Sequence, residues 1–379
     1  MRAPCTARRK FLRHQLPIAP ILVSLPIKHA NQQVGEGEMK LFISVDMEGT
    51  TGLERLEEIF RGLPGFDTFR QLMAGDCNAV IQGAIEGGAS EIVVSDSHGY
   101  MCNMRPDDLV QGVQLRRGQL KRQWCQMKTF DGSFDAAILI GYHAKAGTAD
   151  GILAHTWITG FRDVRVNGHS VPEPSLNAYL AGSLGVPVVM LSGDNYVIEQ
   201  SRPVLGDIEY VQLKKSTGFF SGEHLPIDRS RSLLRDAAKR AVANARTIEA
   251  VACELPVTIE VDLSPDPVDD PALAARADDN VRYIDRAWTE ESRTLSDVDL
   301  ILRTHPEVTS PKYGTVAFTC GDYQTAYRTL HSVLLEIYER DIENLIDDVA
   351  QPGDYARPDL ADIIGDDYPL NEIGPRPTG

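Results

Sequence analysis

KLFISVDMEG, Lys40 to Gly49, is an apolar run that finishes on two acids. Side chains alternate along a strand, so Leu41, Ile43 and Val45 fall on one face and Phe42, Ser44, Asp46 and Glu48 on the other. A continuous strand would hold the two carboxylates about 7 Å apart on one side. Two like charges at the end of a mostly buried element are costly unless a cation or hydrogen-bond donors compensate them. Compensating groups are therefore expected elsewhere in the chain.

Beyond this strand the pattern alternates. Residues 67–88 have helical periodicity and end in a glycine pair, 90–96 (SEIVVSD) and 134–142 (FDAAILIGY) read as strands, 174–185 as a helix, and 186–194 (VPVVMLSGD) as another strand. A helix is expected over roughly 229–251. This order predicts an α/β fold whose sheet is mostly parallel and covered by helices on both faces. A strand at 256–264 opens a smaller α+β C-terminal domain, which a strand at 314–320 and a helix at 322–340 complete. Between them, 264–312 is polar and proline-punctuated, with a short helix expected at 271–279 and a strand at 280–288. The expected organisation is an N-terminal extension over 1–38, a catalytic α/β domain over 39–254, the α+β domain over 255–345, and an acidic disordered tail over 346–379.

A chain of 379 residues, 42% hydrophobic, is long enough for two packed cores. Its net charge of −16 argues against a nucleic-acid partner, which requires a basic face. Residues 341–379 hold ten acids and two bases and so supply half of that charge. The six cysteines are scattered without a CxxC pair, which reads as reduced thiols; Cys102 is the best placed for a nucleophilic role. No stretch reaches the roughly 18 apolar residues of a membrane span, so no membrane partner is expected. The segment ARRKFLRH at 7–14 looks like a twin-arginine export motif followed by an apolar stretch at 16–27, but three prolines interrupt that stretch and no clean cleavage site follows. A true start at Met39, giving a cytoplasmic protein, an export signal and a disordered arm all remain open.

The chemistry-bearing residues cluster by position. Asp46 and Glu48 close the first strand, His98 follows the second, and His143 follows the third. Ligand-binding groups in open α/β sheets gather beyond the carboxyl ends of the strands. Glu173, at a helix entrance, could add a fifth group. Each has a plainer reading. A single histidine can be a satisfied loop residue, Glu173 can favour a helix N-terminus, and Asp46 can pair with a lysine. Asp96 reads better as a turn-holding acid than as a ligand, and His331 as one face of a helix. Taken together, three carboxylates and two imidazoles form a mixed oxygen and nitrogen set suited to zinc. Five ligands exceed what one catalytic zinc accepts and suit two ions about 3.5–4 Å apart. His155, in a glycine-bearing loop, could serve as a general acid or base, or merely bond to backbone.

These motifs also carry a resemblance. Ser44, Asp46, Glu48 and Gly49, then SDSHG at 95–99, GYHA at 141–144, AHTWITG at 154–160, EPSLNAY at 173–179 and VPVVMLSGD at 186–194 resemble, in order, the zinc-dependent D-aminopeptidase family typified by the dipeptide-operon enzyme. The resemblance covers Met39 to about Tyr338. It implies zinc ligands at Asp46, Glu48, His98, His143 and Glu173, two zinc ions per subunit with Asp46 shared, an additional catalytic histidine at His155, and a site asparagine at Asn177. It further implies removal of N-terminal D-amino acids from short peptides or amides through a metal-bound hydroxide, with His155 assisting proton transfer. A ring-like homo-oligomer, a decamer in the family, would enclose the sites. Two features depart from the family pattern: prolines flank Glu173, and the 264–312 segment is enlarged. The alternatives are another dinuclear amidohydrolase or phosphoesterase, the latter short of basic groups with Lys145 nearest, and a non-catalytic metal or amino-acid binding protein.

Overall fold

The computed structural model describes residues 38–349 except 62, 64, 119–124, 159, 264–299 and 313, with side chains as far as Glu336. A seven-stranded sheet forms its centre. In chain order its members are β1 (Lys40–Val45), β2 (Glu91–Asp96), β3 (Gln114–Arg116), β4 (Ala136–Tyr142), β7 (Val188–Asp194), β8 (Glu209–Gly218) and β9 (Ser221–His224). The spatial order is β3-β2-β1-β4-β7-β8-β9. All neighbours are parallel except the edge hairpin of β8 and β9. The order reverses between β1 and β4, which makes the crevice beyond their carboxyl ends the topological switch point where such sheets bind ligands.

β4 is buried along its whole length, as a central parallel strand covered on both faces must be. Leu41, Ile43 and Val45 of β1 pack with Ile138 and Ile140 under helices α1 (Phe66–Glu86) and α4 (Ile227–Ala243). Phe42 points to the opposite face, where Leu139 and Leu191 meet helix α2 (Glu173–Ser183). Helix α3 (Asn195–Leu205) connects β7 to β8, with the Asp194 side chain accepting from Val197 N at its N-terminus. The expected mostly parallel, doubly covered sheet is the observed one.

The second layer of strands is antiparallel: β5 (Phe161–Val166), β6 (His169–Ser170), β10 (Val257–Leu263) and β11 (Thr315–Cys320), in the order β11-β10-β5-β6. β10 alternates buried and half-buried residues, the signature of a strand with one face on a core. Its apolar side joins the core that contains α2 and helix α5 (Tyr323–Val349).

Several expectations need correcting. β1 ends at Val45, and Glu48 lies in a turn rather than on the strand. The second sheet takes β5 and β6 from before the boundary expected at Glu254, because the return from β4 to α2 pairs with β10. The helix expected to reach Val251 stops at Ala243, where Asn244 leads into a short 3-10 turn. Helix α5 continues through Val349, so the first residues of the expected 346–379 tail are helical. Residues 1–37, the helix and strand expected at 271–279 and 280–288, and residues 350–379 lie outside the described residues.

Candidate metal centre

Two glycines bring the ends of β1 and β4 together. Asp46 N still donates to Ile140 O at 2.9 Å, the chain then turns with Thr50 N on Met47 O, and Gly49 N donates to Gly141 O at 2.7 Å. A Cβ on Gly49 would stand 1.8 Å from Tyr142 O, and one on Gly141, whose φ is +72°, 2.2 Å from Asp46 O. Side chains at either position would force the two ends apart. Asp46, Glu48 and His143 converge because of that approach. Lys214, on β8, is buried beneath the turn and donates to the Glu48 and Leu53 carbonyls.

His98 follows β2 on a loop that Asp96 closes. Asp96 accepts from Asn103 N at 2.6 Å, Asn103 Nδ2 at 2.8 Å and Met104 N at 2.8 Å, so its oxygens are spent on holding the turn. Glu173 opens α2; its Oε1 accepts from Trp157 N at 2.6 Å and its Oε2 from Gln126 Nε2.

Each imidazole is oriented by a backbone carbonyl. His98 Nε2 lies 3.1 Å from Ile59 O, His143 Nδ1 2.9 Å from Ala144 O, and His155 Nδ1 2.8 Å from Leu153 O. A carbonyl only accepts, so those nitrogens carry protons, and the other nitrogen of each ring is the one left to face the acids. All three of those other nitrogens point at carboxylates. His98 Nδ1 is 2.9 Å from Glu48 Oε2 and 3.8 Å from Asp46 Oδ1. His143 Nε2 is 3.4 Å from Asp46 Oδ2 and 3.6 Å from Glu173 Oε1, and His155 Nε2 is 3.8 Å from Glu48 Oε1. The His143 and His155 rings stack, with centroids 4.1 Å apart.

Three groups have donor atoms within 4.8 Å of one another: Asp46, Glu48 and His98; Asp46, His143 and Glu173; and Glu48, His143 and His155. The first two share Asp46. A tetrahedral ion with bonds of about 2.0–2.1 Å sets neighbouring ligand atoms roughly 3.3 Å apart, which the spacings around His143 approach. Asp46 Oδ2 is buried without a hydrogen-bond partner. A buried, unpartnered carboxylate oxygen facing an imidazole nitrogen calls for a proton or a cation between them. The residues present fit zinc.

The electrostatics agree. Burial, reinforced by the charges of Glu48 and Glu173, raises Asp46 well above the usual carboxylate range. Burial would raise Glu48 as well, yet His98, His155 and His143 hold it well below its ordinary value. Burial also lowers His98, but the Glu48 charge more than reverses that, so His98 ends raised. Burial and the neighbouring His143 lower His155, which favours its neutral ring.

A family model described as D-aminopeptidase matches residues 39–282. The chain belongs to the D-aminopeptidase family. Among its relatives, a D-aminopeptidase of Bacillus subtilis (strain 168) is 33% identical over 178 residues, which are 47% of this chain and 64% of that protein. The chain thus spans a little under two thirds of the curated relative it matches. Among solved structures, the Zn-dependent D-aminopeptidase DppA from Bacillus subtilis, described as a self-compartmentalizing protease, superposes with a TM-score of 0.68 at 24% identity, over 79% of this chain and 98% of DppA. That likeness establishes the fold shared with the D-aminopeptidase.

Against this family background, the structure brings Asp46, Glu48, His98, His143, Glu173 and His155 into one site. Asn177 stands behind it: its Nδ2 donates to Gln126 Oε1 at 2.8 Å and Tyr142 Oη at 3.0 Å, and its Oδ1 accepts from Tyr327 Oη at 2.8 Å. Cys102 is in none of the three groups, Lys145 approaches Asp163 at 3.7 Å, and His331 is buried on α5 against Trp157. Gln126 is the residue the sequence did not reveal. Its carbonyl accepts from Ser44, Ser95 and Ser97 while its amide links Asn177 to Glu173. Nothing in the stretch around it carries a periodic or motif signal. Tyr142 could have been found, because it directly precedes His143 and its hydroxyl bonds Ser44 of the same key.

Proposed function

We propose that this chain is a zinc-dependent D-aminopeptidase that releases N-terminal D-amino acids from short peptides and their amides. The observation that carries the reading is the pair of donor groups sharing Asp46, one with Glu48 and His98, the other with His143 and Glu173. In this reading each group would hold one zinc ion, and Asp46 would be common to both. Zinc, when bound, supplies a Lewis acid for the scissile carbonyl and lowers the pKa of water.

The chain's own residues do the rest. Ile59 O and Ala144 O fix the rings of His98 and His143 so that each presents one lone pair, an outer bond that ligating histidines commonly make. Gln126 Nε2 and Trp157 N restrain the two Glu173 oxygens. His155 is the most open imidazole of the site, with its side chain 19% exposed, and its neutral Nε2 faces Glu48. At that atom it accepts a proton from the attacking group and returns one to the departing amine. The handedness of the pocket would select the D residue.

DppA's description as self-compartmentalizing supports a homo-oligomer; in our reading it is a ring-like decamer whose interior admits short peptides. We place the activity in the cytoplasm; a mature N-terminus processed after residue 30 in the native host would assign it to export instead.

The test is one preparation assayed three ways. Purified protein should contain close to two zinc ions per chain, hydrolyse D-alanyl-D-alanine but not the L,L peptide, and lose turnover with chelator until zinc is returned. Hydrolysis of both enantiomers, or none with zinc present, rejects the D-aminopeptidase reading.

A further inference from the structure

Two buried lysines lie beside residues that support the metal centre, Lys214 under the Glu48 turn and Lys128 two residues from Gln126, which bonds Glu173, and their surroundings differ. Lys214 spends its ammonium on two carbonyls beneath the Glu48 turn. Lys128, only 2% exposed, has no hydrogen-bond partner for Nζ. A buried ammonium without acceptors is one of the costliest arrangements a fold can retain. Burial pushes Lys128 down to about 8, while the nearby Asp96 charge draws it upward.

Lys128 has cationic company. It lies near Arg117, whose Nε is buried and equally without a partner. Arg117 Nη2 donates to Cys102 O at 3.2 Å, and Arg61 Nη2 donates to the same carbonyl at 3.0 Å. The acid that acts on Lys128 is already engaged: Asp96 accepts three bonds from Asn103 and Met104. Lys128 Nζ and Arg117 Nε are therefore two buried donors without an acceptor among the described residues.

This group borders the zinc site. Met101 N and Asn103 Nδ2 both donate to His98 O, at 2.7 and 2.8 Å, so the Cys102 loop is folded against the His98 backbone. Arg61 is two residues beyond Ile59, whose carbonyl orients the His98 ring. Cys102 is four residues from His98, a path of at most about 14 Å, and the turn shortens it. A chain reaching from the scissile bond to this point needs one or two residues at roughly 3.5 Å each.

We propose that Lys128 and Arg117 form a carboxylate subsite that receives the free C-terminus of a di- or tripeptide whose N-terminal bond lies at the metal centre. The inference rests on the D-aminopeptidase reading and narrows it from peptides and amides to short peptides with a free acid end. A monoanion suits the site better than a phosphate dianion, because Asp96 already offsets part of the positive charge. Arginine with lysine supplies the donors that a carboxylate accepts.

D-alanyl-D-alanine and D-alanyl-D-alaninamide differ only at that end. With zinc-loaded full chain, kcat/KM should favour the free acid over the amide at least tenfold, and Lys128→Met or Arg117→Gln should bring the ratio near unity. Calorimetric titration of the metal-free chain gives a readout independent of turnover: the acid should bind more tightly than the amide, and Lys128→Met should abolish the difference. Equal binding of acid and amide by the unmodified chain, or a preference that survives Lys128→Met, overturns the subsite. Absence of hydrolysis of either compound would reject the D-aminopeptidase reading, while the titration would still decide the carboxylate site.

Discussion

Asp46 is the residue on which both donor groups depend. Its Oδ1 accepts from Met47 N at 2.9 Å, while Oδ2 lacks any partner and faces His143. Asp46→Asn keeps the shape and the Met47 bond but withdraws the charge that two cations would share. Metal content measured by plasma emission should fall toward zero; full occupancy would remove Asp46 from the bridge. His155 calls for the opposite outcome. It stands outside the two donor groups that share Asp46, and its ring is stacked on His143. His155→Ala should retain both ions and lose at least a hundredfold in kcat, the usual scale for removing a general acid or base. Loss of metal with the imidazole would instead make His155 a ligand.

At the scale of elements, α5 supports the site from the far end of the chain. Tyr327 bonds Asn177, which bonds Gln126, which bonds Glu173, so one helix reaches a candidate ligand through three hydrogen bonds. His331, one turn further, lies edge-on to Trp157, and burial lowers it to about 4. Because that value is below the ordinary 6.5, the unfolded chain takes up a proton that the folded one refuses. The stability involved is complete above pH 6.5 and is lost as pH falls toward 4, by about 2 kcal/mol at pH 4.5. His331→Leu, which cannot titrate, should lose less stability between pH 7 and 4.5 than the unmodified protein, read from urea midpoints at both values; parallel losses would show His331 to be insensitive.

The same elements show what was legible in the sequence. β1, β2, β4 and β7 announce themselves because strands buried on both faces must be continuously apolar, and the acids and histidines at their ends break that run. The glycines of SVDMEG and IGYH mark where two strand ends touch. The turn that carries Glu48 was hidden, because alternating residues continue formally past the last ladder bond. β5 was hidden as well: Phe161–Val166 alternates apolar and charged residues, but only its pairing with β10 shows which sheet it joins. Gln126 acts through contacts some 30–80 residues distant in sequence, and no local pattern encodes those.

At the scale of the whole molecule, the centre gathers Asp46, Glu48 and Glu173 within a protein of net charge −16. Without a cation the fold must tolerate three nearly inaccessible carboxylates, and the rise of Asp46 is how that burden is expressed. Zinc that binds the folded chain and not the unfolded one stabilises it by mass action. The gain is about 2.7 kcal/mol per site at a hundredfold excess over the dissociation constant, hence roughly 5 kcal/mol for two sites. For a domain of this size each kcal/mol shifts Tm by about 2 °C or somewhat more. Chelation should therefore lower Tm by on the order of 10 °C, and zinc should restore it. Magnesium should not, because two imidazoles suit zinc and Mg²⁺ prefers an all-oxygen shell. In Asp46→Asn the response to zinc should shrink with the lost occupancy. A Tm indifferent to chelator and zinc would mean that Asp46 Oδ2 is satisfied by protonation alone and that the convergence of acids and imidazoles does not hold metal.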